Sequence, residues 1–139
     1  MLGRQLSQRF ETPIIALGIA PSGVEVAAAA AKAISCSFDV IIAAHIRLGI
    51  GVVGAIAEDG DAVLDPDFAP GFSMLEALNE AIDRARRAIK AERLLFRGHR
   101  QLRSLEGAHV VIVDGQLTSP WKVLAAADVA RKMGAAQVG

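Results

Sequence analysis

Apolar residues fall along the chain in short blocks between polar turns, and the spacing inside each block predicts its element. Pro13 to Ile19 (PIIALGI) is rich in branched side chains and is followed by Ala-Pro-Ser-Gly. Ser22 and Glu25 then have capping-box spacing ahead of VEVAAAAAKAI. This predicts a strand, a tight turn and a helix whose alanine face can lie close to a sheet. Phe38 to Ile46 (FDVIIAAHI) is one near-continuous apolar run, as expected of a strand covered on both faces. Val52 to Leu64 predicts two short strands around the turn Glu58-Asp59-Gly60-Asp61. Ser73 and Glu76 form a second capping box and open the longest helix, which runs to about Phe96. Leu75, Leu78, Ile82, Ala85, Ile89 and Phe96 make its apolar stripe. His109 to Asp114 (HVVIVD) predicts a third core strand. Ser119 then stands as N-cap with Pro120 at the first helical position, and the helix from Trp121 to Met133 ends at Gly134. Ala135 to Gly139 begins a further strand.

Strands and helices alternate at both ends of the chain, with a hairpin and a long helix between them. The expected fold class is α/β, an open and mostly parallel sheet flanked by helices. On such sheets ligands bind where the carboxyl ends of strands meet helix N-termini. Here those places are Ala20 to Gly23 and Asp114 to Ser119. No repeat, linker or low-complexity stretch divides the 139 residues, so one domain spanning 1–139 is expected.

Composition narrows the function classes. Hydrophobic residues make up 53% of the chain, which excludes a disordered tail. Lys+Arg and Asp+Glu both number 15, so no net charge draws the molecule toward nucleic acid or an anionic membrane. Arg4 and Arg9 ahead of the run Ile14 to Ala20 superficially resemble a secretory signal, but Glu11 and Pro13 stand at its entrance and no A-x-A site follows. No apolar stretch approaches the ~18 residues of a membrane span. A single cysteine, Cys36, forms no internal disulfide, and three scattered histidines do not make a zinc site. A reducing, cytoplasmic location is the expectation.

Two further groups stand out. His45 and His99 are candidates for acid–base work, although the sequence pairs neither with a partner. Between Arg84 and Arg103 the basic residues are accompanied by one acid, Glu92, and Arg86, Lys90, Arg93 and Arg97 form a stripe beside the apolar one. That stripe is either a polyanion surface or a solvated flank whose stems cover the core edge. Nucleic-acid binding is disfavoured, because no aromatic platform interleaves the cations.

The segment Val110 to Lys122 (VVIVDGQLTSPWK) resembles the signature of the type I phosphoribosyltransferases. That signature is a strand of apolar residues, two acidic residues, a short turn and Thr-Gly-x-Thr at a helix start. The resemblance extends in order through Gly23-Val24-Glu25-Val26-Ala27, Phe38-Asp39-Val40-Ile41-Ile42, Gly54-Ala55-Ile56-Ala57-Glu58-Asp59-Gly60 and Arg93-Leu94-Leu95-Phe96-Arg97-Gly98-His99-Arg100, as in a bacterial subgroup of the family. It implies a phosphoribosyltransferase-like fold that binds a sugar phosphate or nucleotide such as phosphoribosyl pyrophosphate, with Mg²⁺ accompanying the pyrophosphate. It further implies that Asp114, Gln116, Leu117, Thr118, Ser119 and Lys122 hold the ribose and its 5′-phosphate at a helix N-terminus. Pro21, Ser22 and Gly23 stand at the pyrophosphate loop, and Arg47, Arg97 and Arg100 are possible anion contacts.

The chain departs from the signature at several positions. Gly115 replaces the second acid, Pro120 the loop glycine and Lys122 the second hydroxyl, while Pro21-Ser22-Gly23 lacks the family's arginine. Two functions therefore stand side by side: a phosphoribosyltransferase, or a non-catalytic ligand-binding or assembly module that keeps the fold. The family's last core strand is expected to be cut short after Ala136-Gln137-Val138. Self-association as a homodimer through the long helix or the final helix is the expected cover for the resulting open edge.

Overall fold

The structure, a computed structural model, describes residues 13–49, 51–115 and 119–139. Among them the strands form two sheets. One has four strands in the order β2 (Ser37–Ile41), β1 (Ile14–Ile19), β6 (His109–Val113) and β7 (Gln137–Val138), and each adjacent pair is parallel. The other is an antiparallel sheet of β3 (Ala43–Leu48), β4 (Gly51–Ala57) and β5 (Val63–Leu64). Three α-helices cover them: α1 (Ser22–Ile34), α2 (Leu75–Arg97) and α3 (Trp121–Lys132). A 3-10 turn, Phe72–Met74, leads into α2.

Strand β1 lies inside the parallel sheet, and from Ile15 onward its side chains are buried on both faces. On one face Ala16 packs against Ala27 and Ala31 of α1. The small side chains allow a close approach. A Cβ at Gly18 would lie 2.6 Å from the Gly23 carbonyl oxygen, and one at Gly23 would lie 2.3 Å from that of Val113. The first turn of α1 is therefore pressed onto the ends of β1 and β6. On the other face Ile15, Leu17, Ile19, Ile41 and Val110 pack with Ala125, Ala126, Val129 and Ala130 of α3.

The antiparallel sheet is covered by a different helix on each side. Ala43, Ala55 and Ala57 join the α3 core. Their neighbours Ile42, Ile46, Val53 and Ile56 pack with Leu78, Ala81, Ala85 and Ile89 of α2. This is the period-two alternation of a strand sandwiched between layers.

Several local expectations are corrected. The run Phe38 to Ile46 is two strands, because the chain changes sheets at Ile42. There the Glu58 carboxylate accepts the Ile42 N–H at 3.1 Å, and the Glu58 N–H donates to the Ile42 carbonyl at 2.9 Å. Glu58 is thus buried rather than part of an exposed turn. Neither serine capping box forms: Pro21 is the N-cap of α1 and Met74 that of α2, and no side chain caps either helix. Phe96 is 36% exposed, and Arg97 takes the buried place at the end of α2. The strand expected to begin after Ala135 does form, as β7, and pairs along β6. Gln137 and Val138 lie opposite His109 and Val110, and Gly139 accepts from the Ile112 N–H and donates to the Val110 carbonyl.

Candidate functional site

The parallel register of β1 with β6 brings Gly18 beside Val113, so both strands end at the same level. Ser22, in the first turn of α1, and Asp114, just beyond β6, meet there. The Ser22 hydroxyl donates to Asp114 Oδ1 at 3.1 Å. The serine that resembled a helix cap is therefore spent on the acid of the signature. Pro21 is exposed and Gly23 buried in the same turn, and the Ala20–Pro21 peptide bond is cis.

Gly115 lies against the same turn. A Cβ at this position would stand 2.3 Å from the Ser22 carbonyl oxygen and 2.7 Å from its carbon. The close packing of α1 on the sheet ends thus leaves no room for a side chain where the resemblance would put a second acid.

The α3 end of the site corrects another expectation. Pro120 is the N-cap of α3 and Trp121 its first residue, and no side chain caps the helix. Ser119 instead shares a 3.0 Å hydrogen bond with His45 Nε2, its direction set by the imidazole tautomer. His45 reaches it from β3, on the strand face opposite to Ala44, Ile46 and Leu48, which pack toward α2. Burial pushes the His45 imidazole below its ordinary pKa, the positive charges of Lys122 and Arg47 lower it further, and Asp114 partly offsets them. Trp121 is half-buried and packs on the α3 core, which fixes the start of the helix. Gln116, Leu117 and Thr118 lie outside the described residues.

Ser22, His45, Asp114, Ser119, Lys122 and Arg47 thus converge from α1, β3, α3 and the loop after β6. An anion there would meet two cationic side chains, two serine hydroxyls and an imidazole, with the Asp114 carboxylate beside them. Sequence reasoning singled out His45 without a partner. The 74 positions that separate it from Ser119 conceal the pairing, which needs the β3 crossover to become visible.

The other two arginines of the expected set are engaged elsewhere. Arg97 is buried and ion-paired with Glu58, and its Nε and Nη1 find no acceptor among the described residues. Burial pushes the Glu58 carboxyl up, against the pull of the Ile42 N–H and Arg97. Arg100 holds the buried carboxylate of Asp39 through both terminal nitrogens, at 2.6 and 3.0 Å. The basic stripe of α2 also has a structural use. Arg86 donates to the Gly60 carbonyl at 3.4 Å, Arg93 lies 3.7 Å from Asp59, and Arg97 holds Glu58. Three of its four members therefore pin the turn after β4. A cleft of about 310 Å³ beside that turn is lined by Glu58, Asp59, Leu102, Val129, Lys132 and Met133 and contains none of the expected site residues.

The chain is 34% identical over 147 aligned positions to Rv0571c, a Mycobacterium tuberculosis protein provisionally named a phosphoribosyl transferase, in strain H37Rv and likewise in strain CDC 1551. The match covers 98% of this chain. In fold, this chain is phosphoribosyltransferase-like. It spans about a third of the relative's length, 32%. No family model matches it. Among solved structures, the chain superposes on TT1426 from Thermus thermophilus with a TM-score of 0.68 and 24% identity, covering 99% of this chain and 67% of that one. A hypoxanthine phosphoribosyltransferase from Staphylococcus aureus matches with a TM-score of 0.51 and 14% identity over 99% of this chain and 55% of that one. These two likenesses concern the fold.

Proposed function

We propose that the chain binds a phosphorylated sugar of the phosphoribosyl pyrophosphate type across the carboxyl ends of β1 and β6 and the start of α3. The observation that carries this reading is the convergence of Ser22 and Asp114 with Ser119, His45 and Lys122 at one end of the parallel sheet. Asp114 offers a carboxylate to ribose hydroxyls. Ser119 and Lys122 offer a donor and a positive charge to a phosphate at the N-terminus of a 12-residue helix. Mg²⁺ enters as part of the substrate, bound to the pyrophosphate oxygens. Among the described residues no cluster of three or more His, Cys, Asp or Glu side chains forms a metal site independent of it.

If transfer occurs, a nitrogen nucleophile displaces pyrophosphate at the anomeric carbon, and the protein contributes orientation and charge stabilisation. A second reading, binding without transfer, is favoured by Gly115, whose surroundings exclude the second carboxylate. Titration calorimetry with phosphoribosyl pyrophosphate and Mg²⁺, followed by an assay for released pyrophosphate, separates the two readings.

The same proposal includes a cytoplasmic homodimer. Phe72 at the entrance to α2 is 94% exposed and Leu95 near its end 79%, so the long helix carries apolar surface at both ends. Among the described residues no helix is long and apolar enough to cross a membrane.

A further inference from the structure

We propose that His45 is a proton-linked ligand of this anion site: as a phosphate-type dianion settles against Ser119 and Lys122, the imidazole takes up a proton and contributes a further positive charge. The inference rests on the sugar-phosphate reading above and adds to it a dependence on pH.

Geometry places the imidazole at the right point. Its Nε2 is already 3.0 Å from the Ser119 hydroxyl, at the entrance to α3. The charged groups acting on it are Lys122 from α3, Arg47 from its own strand and Asp114 from the loop after β6. Strand β4 sets Ala55 opposite His45, and α2 meets the other face of β3 through Leu78, Ala81, Ala85 and Ile89.

Burial first, and then the two cations, hold the imidazole below its ordinary pKa in the free protein. An arriving dianion neutralises that pair and favours the protonated ring. Proton uptake and anion binding then favour one another, and by linkage the anion binds more tightly at lower pH. Histidine is suited to this, because its charge changes inside the physiological range.

Sulfate is the probe, because it keeps both negative charges across the range and brings no titration of its own. Calorimetric titration of the whole chain should show Kd falling about tenfold from about pH 8 to about pH 5, with net proton uptake, for a one-unit rise of the His45 pKa on binding. His45→Gln, which keeps a hydrogen-bonding amide, should bind with Kd independent of pH, and His45→Lys should bind at the higher affinity throughout. In the unmodified protein, the NMR titration of the His45 ring should move to higher pH when sulfate is added. Saturable sulfate binding with no change in the His45 titration, or a His45→Gln variant with the full pH slope, overturns the inference and leaves the anion site standing. Absence of saturable binding at every pH overturns both.

Discussion

Gly115 and Ser22 are in backbone contact: a Cβ on the glycine would fall 2.3 Å from the serine carbonyl oxygen. From the signature alone, Gly115→Asp would be a repair that restores an acid to the sugar site. The contact predicts the opposite. Gly115→Ala and Gly115→Asp should each force the loop after β6 away from α1, costing about 1–3 kcal/mol. Neither should strengthen sugar-phosphate binding. Denaturant unfolding of the two variants checks the cost, and a gain in affinity with Gly115→Asp would show that the loop can reorganise.

The pair Glu58 and Arg97 supports the point where the chain leaves one sheet for the other. Both side chains are buried, and the Glu58 carboxylate also accepts the Ile42 N–H. Removing either partner leaves the other charge buried, so Arg97→Met should destabilise by about 3–5 kcal/mol. Combining it with Glu58→Gln should recover part of that loss. Strict additivity in a double-mutant cycle would mean the two groups do not act as a unit.

Asp39 predicts a response to acid. Burial raises its carboxyl, but the Arg100 side chain and the N–H groups of Arg103 and Val40 outweigh burial and hold it below its ordinary pKa. A carboxyl depressed by folding stabilises the native state above its unfolded pKa, and that contribution disappears as pH falls through the folded value. Asp39→Ala should therefore cost about 1–3 kcal/mol near neutrality and progressively less as pH falls below the ordinary carboxylate range. Urea unfolding across that range is the measurement. An equal cost at every pH would assign the loss to packing.

Much of this architecture can be read along the chain, and the exceptions share a cause. β1, α1, α2, β6 and α3 follow from hydrophobic periodicity, because each buries a face set by its own sequence. Ser22, Ser73 and Ser119 have the spacing or position of helix caps, yet none caps. Ser22 and Ser119 bond to Asp114 and His45, which lie 92 and 74 positions away. The break at Ile42 is hidden for the same reason, since Glu58 takes its N–H from 16 positions further on. Arg97 resembles one more cation on a helix flank until the turn holding Glu58 folds over it. Local pattern specifies elements, whereas the site and the ion pairs depend on which loops the register brings together.

Self-association is open to direct observation. The exposed Phe72 and Leu95 predict that sedimentation velocity at micromolar concentration resolves a dimer. Leu95→Lys should shift the equilibrium toward monomer while leaving the fold intact, since Leu95 is 79% exposed. A concentration-independent monomer before substitution would remove the dimer from the account.

Sugar-phosphate binding is the central claim, and titration calorimetry with phosphoribosyl pyrophosphate and Mg²⁺ tests it most directly. The missing second acid and the proline at the start of α3 point to weak affinity. The account predicts saturable binding with Kd no tighter than about 100 μM, a free energy near about −5.5 kcal/mol. It also predicts that Lys122→Ala weakens this binding about tenfold, for the loss of about 1.4 kcal/mol of charge-assisted contact. No saturable heat at millimolar ligand, or binding that Lys122→Ala and Asp114→Asn leave unchanged, would contradict it.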